Sequence, residues 1–401
     1  ANLNALLKAM GLPPLPRIRT EEDIQLFIKM IKDSGVFLLG PKAMFFAPKQ
    51  SKDRDTGEMK YASIFTTSSS NVGITKKSIP DREFRKGLWR KFQDEIQKLY
   101  HDKSIKWGDS FENLKDAKGN NIGVKDSDIW SLRNTYSSVF TYTKKDKKTK
   151  KSIKVFSPEK ARKNKDKIED FNRKISVIHK EMWRRIKKQV RVHNENTVKG
   201  KKKKMNLVGI GLFLALVAND TKHWHKLGAQ IIGFSKELNP YMEKGKMRDG
   251  RYEFEHAMPA TKAYMYLLVT ALNPKFDFEA SYDFIMGNYK LIALDKAMDK
   301  KLTNAKTETG RSLQLTMPDN WSVIYGKWWE RYFNEIVEAI DGGINPESIE
   351  TIDGSTIGEM FNINSSGGIK ASMPASKVKS IQNIDSAFTL RFISLFTCLS
   401  I

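Results

Sequence analysis

The residues best suited to chemistry lie together in RYEFEHAMP (251–259), where Glu255 and His256 follow the alternating Tyr252 and Phe254. An imidazole titrates near neutrality, so it can take a proton from water at physiological pH. A carboxylate beside it offers hard oxygen to a divalent cation. The alternation predicts a strand that delivers both groups at its end, and Pro259 stops it. Thirty-two residues beyond His256 lies GNYKLIALDKAMDKKLTNA (287–305), which reads as an Asn-led apolar strand running into a short charged helix bearing Asp299. Between them, ATKAYMYLLVTALN (260–273) reads as an inserted helix.

An acid-His pair followed by x-x-Pro, then an Asn heading a second strand, then a helix with a polar residue and lysines, resembles the HNH or ββα-metal endonuclease motif. The resemblance covers residues 255–305. It implies His256 as general base, Glu255 and Asp299 as ligands of one Mg²⁺ or Mn²⁺, and Asn288 as the residue fixing the loop geometry. In that chemistry a water is activated while charge on the phosphoryl oxygens is neutralised. The chain departs from the motif in its inserted helix, in a wider gap between Asn288 and Asp299, in an Asp where Asn or His is usual, and in lacking zinc-binding Cys pairs. The segments EHAMPATKAYMYLL and NYKLIALDKAMDKKLTNA also resemble parts of large uncharacterised proteins of marine tailed phages.

The charge of the chain points to the partner. Lys and Arg number 70 against 46 Asp and Glu, a formal +24. Residues 144–204 hold 25 Lys and Arg against seven Asp and Glu, so +18 of that +24 sits in one segment. Such a block is the footprint of a polyanion partner, and DNA is favoured over RNA as the ligand. The candidate phosphate contacts are Lys144, Lys145, Lys147, Lys148, Lys150 and Lys151 in a lysine-rich turn. On a following helix they are Arg184, Arg185, Lys187, Lys188 and Arg191, and beyond it Lys201, Lys202, Lys203 and Lys204.

Other chemistries find less support. The single Cys398 leaves no disulfide and no cysteine-based zinc or iron–sulfur site, which suits a reducing compartment. No Walker loop, GxGxxG or GxSxG is present. His223 and His225 share a face only if extended, and without a third ligand they read as packing. Trp321, Tyr325, Trp328, Trp329 and Tyr332 recur at helical spacing and read as a core face. The longest apolar run, 207–218, is too short to span a bilayer, so no membrane partner is expected and a cytoplasmic or virion location is.

Positioning these groups needs an α+β, helix-rich frame with short strands and a ββα-metal-like core in the C-terminal half. Four regions are expected. Residues 1–75 form a small α+β unit, with a helix capped by Thr20 and Asp23 and strands at VFLL, AMFF and YASIFTT. Residues 76–204 form a helical basic region, residues 205–340 an α+β domain with the HNH-like motif, and residues 341–401 a loop-rich tail. Within the basic region, Phe84, Leu88, Phe92, Ile96 and Leu99 mark one helix. Residues 141–156 read as a hairpin with a lysine-rich tip or as a disordered arm. Ser157-Pro158 then starts a long helix with the stripe Ile168, Phe171, Ile175, Ile178, Met182, Ile186 and Val190. The function expected is nucleic-acid binding with an HNH-like phosphodiesterase site. The alternatives are a non-catalytic virion or genome-packaging protein and an RNA-binding module.

Overall fold

The computed structural model describes residues 16–52, 57, 59–66, 68–130, 132, 138–145, 152–198, 230–235, 252–272, 277–304, 310, 312, 317 and 349–352. These residues mix helices with small sheets, as the α+β expectation requires. The chain divides into two compact units, residues 1–133 with 177–227 and residues 134–176 with 228–401. One long helix, residues 165–198, contributes to both units.

The first unit begins with helix α1 (Glu21–Asp33), whose Thr20 and Asp23 form the expected capping box. Its buried face, Ile24, Phe27, Ile28 and Ile31, packs on helix α3 (Arg82–His101), where Leu88, Phe92, Ile96 and Leu99 are buried. Phe27 meets Phe92 edge-on at 5.3 Å. Phe84, in the first turn after the Asp81 cap, is 54% exposed although it shares the stripe.

Two expected strands are helical. VFLL is a 3₁₀ turn (Val36–Leu39) and AMFF lies mostly in the short helix α2 (Lys42–Phe45), which leads into β1 (Phe46–Lys52). Gly35, at φ 66°, reverses the chain before the 3₁₀ turn, and Val36, Phe37 and Leu39 are then buried together. Four apolar residues carry no periodicity that separates a strand from a buried turn. β1 pairs antiparallel with β2 (Met59–Ser63). Phe37, Phe45, Phe65 and Trp107 close over this pair as an aromatic core.

In the second unit β3 (Thr141–Lys145) and β4 (Ser152–Phe156) form an antiparallel ribbon, so the hairpin expectation holds over its described strands. Ser157 caps α4 (Pro158–Lys163), with Pro158 in the first turn. The single long helix expected here is broken at Asn164, whose side-chain amide donates to Lys160 O at 2.8 Å and Val139 O at 3.0 Å. Helix α5 (Lys165–Val198) follows and buries Ile168, Ile175, Ile178, Met182 and Ile186 on the predicted stripe. It passes from the second unit to the first after Ser176.

The main sheet of this unit has the order β6-β7-β5-β8, made of β5 (Gln230–Ser235), β6 (Tyr252–His256), β7 (Lys290–Asp295) and β8 (Ile349–Thr351). β6 and β7 are antiparallel, β5 and β7 parallel, β5 and β8 antiparallel. Leu291 to Leu294 are all buried, as expected of an inner strand covered on both faces. Two helices, not one, separate β6 from β7: α6 (Ala260–Leu272) and α7 (Phe278–Asn288), which pack on each other. The second starts where Asp277 Oδ1 accepts from Glu279 N and Ala280 N. After β7 the chain enters α8 (Lys296–Asn304), which packs on β6 and β7.

Candidate functional site

The end of β6 is built by register. Glu255 lies opposite Ile292 and His256 opposite Leu291, and Ala257 N donates to Lys290 O at 2.8 Å, prolonging the pairing past the strand end. Side chains alternate along a strand, so Tyr252, Phe254 and His256 share one face while Glu253 and Glu255 share the other. His256 is half-buried and lies flat on Tyr289, centroids 5.4 Å apart and planes 17° apart. Tyr289 is fully buried, and its hydroxyl shares a hydrogen bond with that of Tyr264 on α6. Burial raises the pKa of both phenols, so both stay protonated.

Glu255 is buried on the opposite face. The register makes Lys290 its diagonal neighbour there, and burial lowers the pKa of that half-buried amine. Lys290, Tyr289 and Tyr264 were not singled out from sequence. The available signal was a lysine and a tyrosine interrupting the apolar run of GNYKLIALD.

The ligand pair implied by the HNH resemblance is Glu255 on β6 and Asp299 on α8, a helix that packs on β6 and β7. Among the described residues no three His, Cys, Asp or Glu side chains gather as for a metal ion. Two geometric facts place these side chains. Glu255 and His256 leave opposite faces of β6, so a helix lying on one face meets only one of them. Asp299 sits one turn into α8, which begins beside the Tyr252–Asp295 pair, whereas His256 pairs with Leu291 about 13 Å further along the strand. Asn288 departs from expectation: it does not head β7 but ends α7, with its amide 3.5 Å from Phe284 O.

The basic segment proves heterogeneous. On α5, Lys165 pairs with Glu169, Arg173 and Lys174 with Asp170, and Arg184 and Arg185 with Glu181, all three or four residues apart. Each such pair supports the helix by a few tenths of a kcal/mol. Arg185 goes further: it donates to Asp109 O at 2.7 Å and its guanidinium lies 4.5 Å from the Phe111 ring centroid. With only 12% of its side chain exposed, it is an internal clamp and not a phosphate contact. Lys187 is half-buried, while Arg184 and Lys188 are exposed. His179 and Trp183 from the same helix are fully buried.

The ribbon is the more open part. Thr143, Lys145, Ser152 and Lys154 are exposed, as is Tyr142, while Lys144 is half-buried. Its base is fixed. Phe140 meets Phe254 edge-on at 5.2 Å, Phe156 contacts Tyr252 and Phe234, and Lys160 Nζ donates to Thr141 O at 2.8 Å. Lys160 is therefore spent on the fold, and Arg162 lies over the Phe234 ring at 5.3 Å. Phe140 thus roots the ribbon on the β6 face that carries His256, at a residue two positions before it.

Lys147, Lys148, Lys150, Lys151, Lys201, Lys202, Lys203, Lys204, His223, His225 and the aromatic stretch 320–333 lie outside the described residues, as do the apolar run 207–218 and most of the tail. Arg191 is on α5, but its side chain is not among those described. Among the described residues no helix is long and apolar enough to cross a membrane. Compared with known proteins, the chain matches no family model, no curated protein and no solved structure.

Proposed function

We propose that the protein binds nucleic acid, with DNA favoured over RNA, through the basic segment 144–204. The observation carrying this reading is that the charge of the segment is only partly consumed by the fold. After the ion pairs of α5 and the anchoring of Lys160 and Arg185, the described surface still presents Lys145, Lys163, Lys167 and Lys188 as exposed cations. Phosphate contacts of this kind give affinity that falls steeply with salt and carry no base information by themselves. The test is a salt titration of binding to labelled DNA and RNA duplexes. The reading requires binding in dilute buffer with a steep negative slope, and a chain that ignores both polymers overturns it.

A second reading adds a phosphodiesterase centred on His256. What favours it is the order of elements, an antiparallel β6–β7 pair running into α8, together with the rooting of the ribbon on Phe254 beside the imidazole. His256→Ala decides the matter in a plasmid-nicking assay with Mg²⁺, Mn²⁺ and chelator arms. Under this reading nicking is lost and DNA retention kept. A wild type that binds and never nicks behaves as the non-catalytic alternative, a virion or genome-packaging protein.

A further inference from the structure

We propose that the β3–β4 ribbon enters the major groove of duplex DNA and that one of its faces, Thr143, Lys145, Ser152 and Lys154, meets the base edges. The proposal rests on the nucleic-acid reading above and adds to it the form of the polymer, the groove and the residues.

Register defines the face. Thr143 pairs with Lys154 and Lys145 with Ser152, so these four side chains lie on one side of the ribbon, and all four are exposed. The same side is capped at its base by the Thr141–Phe156 pair, both buried. Tyr142 with Val155 and Lys144 with Ile153 occupy the other side, where Val155 is buried and Lys144 and Ile153 are half-buried. Over its described residues, one face of the outer ribbon is thus exposed and polar. A two-stranded ribbon is marginal when nothing covers it. Here its base is fixed by Phe140, Phe156 and the Lys160 bond to Thr141 O. The fold therefore supports an uncovered element that supplies no apolar burial of its own along that face.

Size and chemistry select the partner. Paired strands are spaced about 4.8 Å apart. With side chains, such a ribbon is of the width that the major groove of B-form DNA, about 12 Å across, admits. The deep, narrow major groove of A-form RNA does not admit it. Lysine donates to guanine O6 and N7, and Ser and Thr hydroxyls bond to any base edge, so the exposed face is composed of groups that read base edges.

Methylation of guanine N7 by dimethyl sulfate reports major-groove occupancy and tests the idea on the full chain. Bound wild type is expected to protect guanine N7 positions on a random-sequence DNA duplex. A ribbon variant carrying Thr143→Ala, Lys145→Gln, Ser152→Ala and Lys154→Gln should lose that protection and bind at least about tenfold more weakly. A control with Lys163→Gln and Lys188→Gln should keep the protection while its salt slope shallows by up to about 2. Duplex RNA should compete poorly. Circular-dichroism melting establishes that both variants remain folded, since all the altered side chains are exposed. DNA bound without N7 protection, protection retained by a folded ribbon variant, or equal competition by duplex RNA overturns groove insertion while leaving nucleic-acid binding intact. No binding by the wild type overturns both.

Discussion

The His256 imidazole lies flat on the Tyr289 ring at 5.4 Å, and Tyr289 in turn shares a hydrogen bond with Tyr264. The candidate base therefore rests on a buried pair of phenols. This stack fixes the plane of the imidazole, and the neighbouring Phe254 fixes the root of the ribbon on the same strand face.

The phenol pair makes a sharp prediction about stability. Tyr289→Phe removes one hydroxyl and leaves that of Tyr264 without its partner in a fully buried site, which should cost about 1–3 kcal/mol. The double change Tyr264→Phe, Tyr289→Phe should cost less than the two single changes summed, because both polar groups vanish together. Urea unfolding of the four proteins measures the coupling. Strict additivity would show that the two hydroxyls do not depend on each other.

Much of the local structure was legible because its signals repeat. The Thr20–Asp23 box, the three-and-four spacing of Leu88, Phe92, Ile96 and Leu99, and the stripe from Ile168 to Ile186 each state one face of a helix several times over. The strand ending at His256 was legible from alternation. VFLL and AMFF were not, since four apolar residues fit a strand and a buried turn equally well. The fates of Arg185 and Lys160 were hidden because their partners, Asp109 O and Thr141 O, are backbone groups 76 and 19 residues away. Adjacency in sequence conceals that Glu255 and His256 leave opposite faces of one strand.

Two adjacent arginines on α5, both candidate phosphate contacts from sequence, should behave differently. Arg185→Ala abolishes the bond to Asp109 O, the pair with Glu181 and the contact with Phe111, and should destabilise the first unit by about 2 kcal/mol. Arg184→Ala, at an exposed side chain 3.8 Å from Glu181, should change stability by no more than about 0.5 kcal/mol. Chemical denaturation of the two variants separates clamp from surface charge. Equal effects would remove the distinction.

Gly108 is placed where no side chain fits. Its N–H donates to Phe37 O and Gly40 O at 2.9 Å each, and a Cβ there would lie 2.4 Å from Leu38 O and 2.8 Å from Gly40 N. Those are backbone atoms, so relief requires moving the chain beside the edge-on Phe37–Trp107 contact. Gly108→Ala should lower the thermal midpoint by several degrees, a loss of a few kcal/mol by overpacking. Gly87→Ala, with open space around the new methyl group within helix α3, is the matched control and should be neutral or mildly stabilising. A Gly108→Ala protein melting with the wild type would contradict the contact.

His179 is fully buried, and burial lowers its pKa to about 3. In the unfolded chain the same imidazole titrates near 6.5. Between those values the unfolded state binds a proton that the folded state refuses, so stability falls as the pH drops through this window and the contribution is fully present only above the unfolded value. The loss approaches about 1.4 kcal/mol per pH unit once the unfolded imidazole is mostly protonated. Urea unfolding of the wild type and of His179→Leu at about pH 7, 6 and 5 isolates this contribution, because carboxylates titrate alike in both proteins. The wild-type curve should descend more steeply than that of the variant, with most of the divergence between about pH 6 and 5. Parallel curves would mean that His179 takes up its proton in the folded protein as readily as in the unfolded one, and that the packing around Trp183 is open to water.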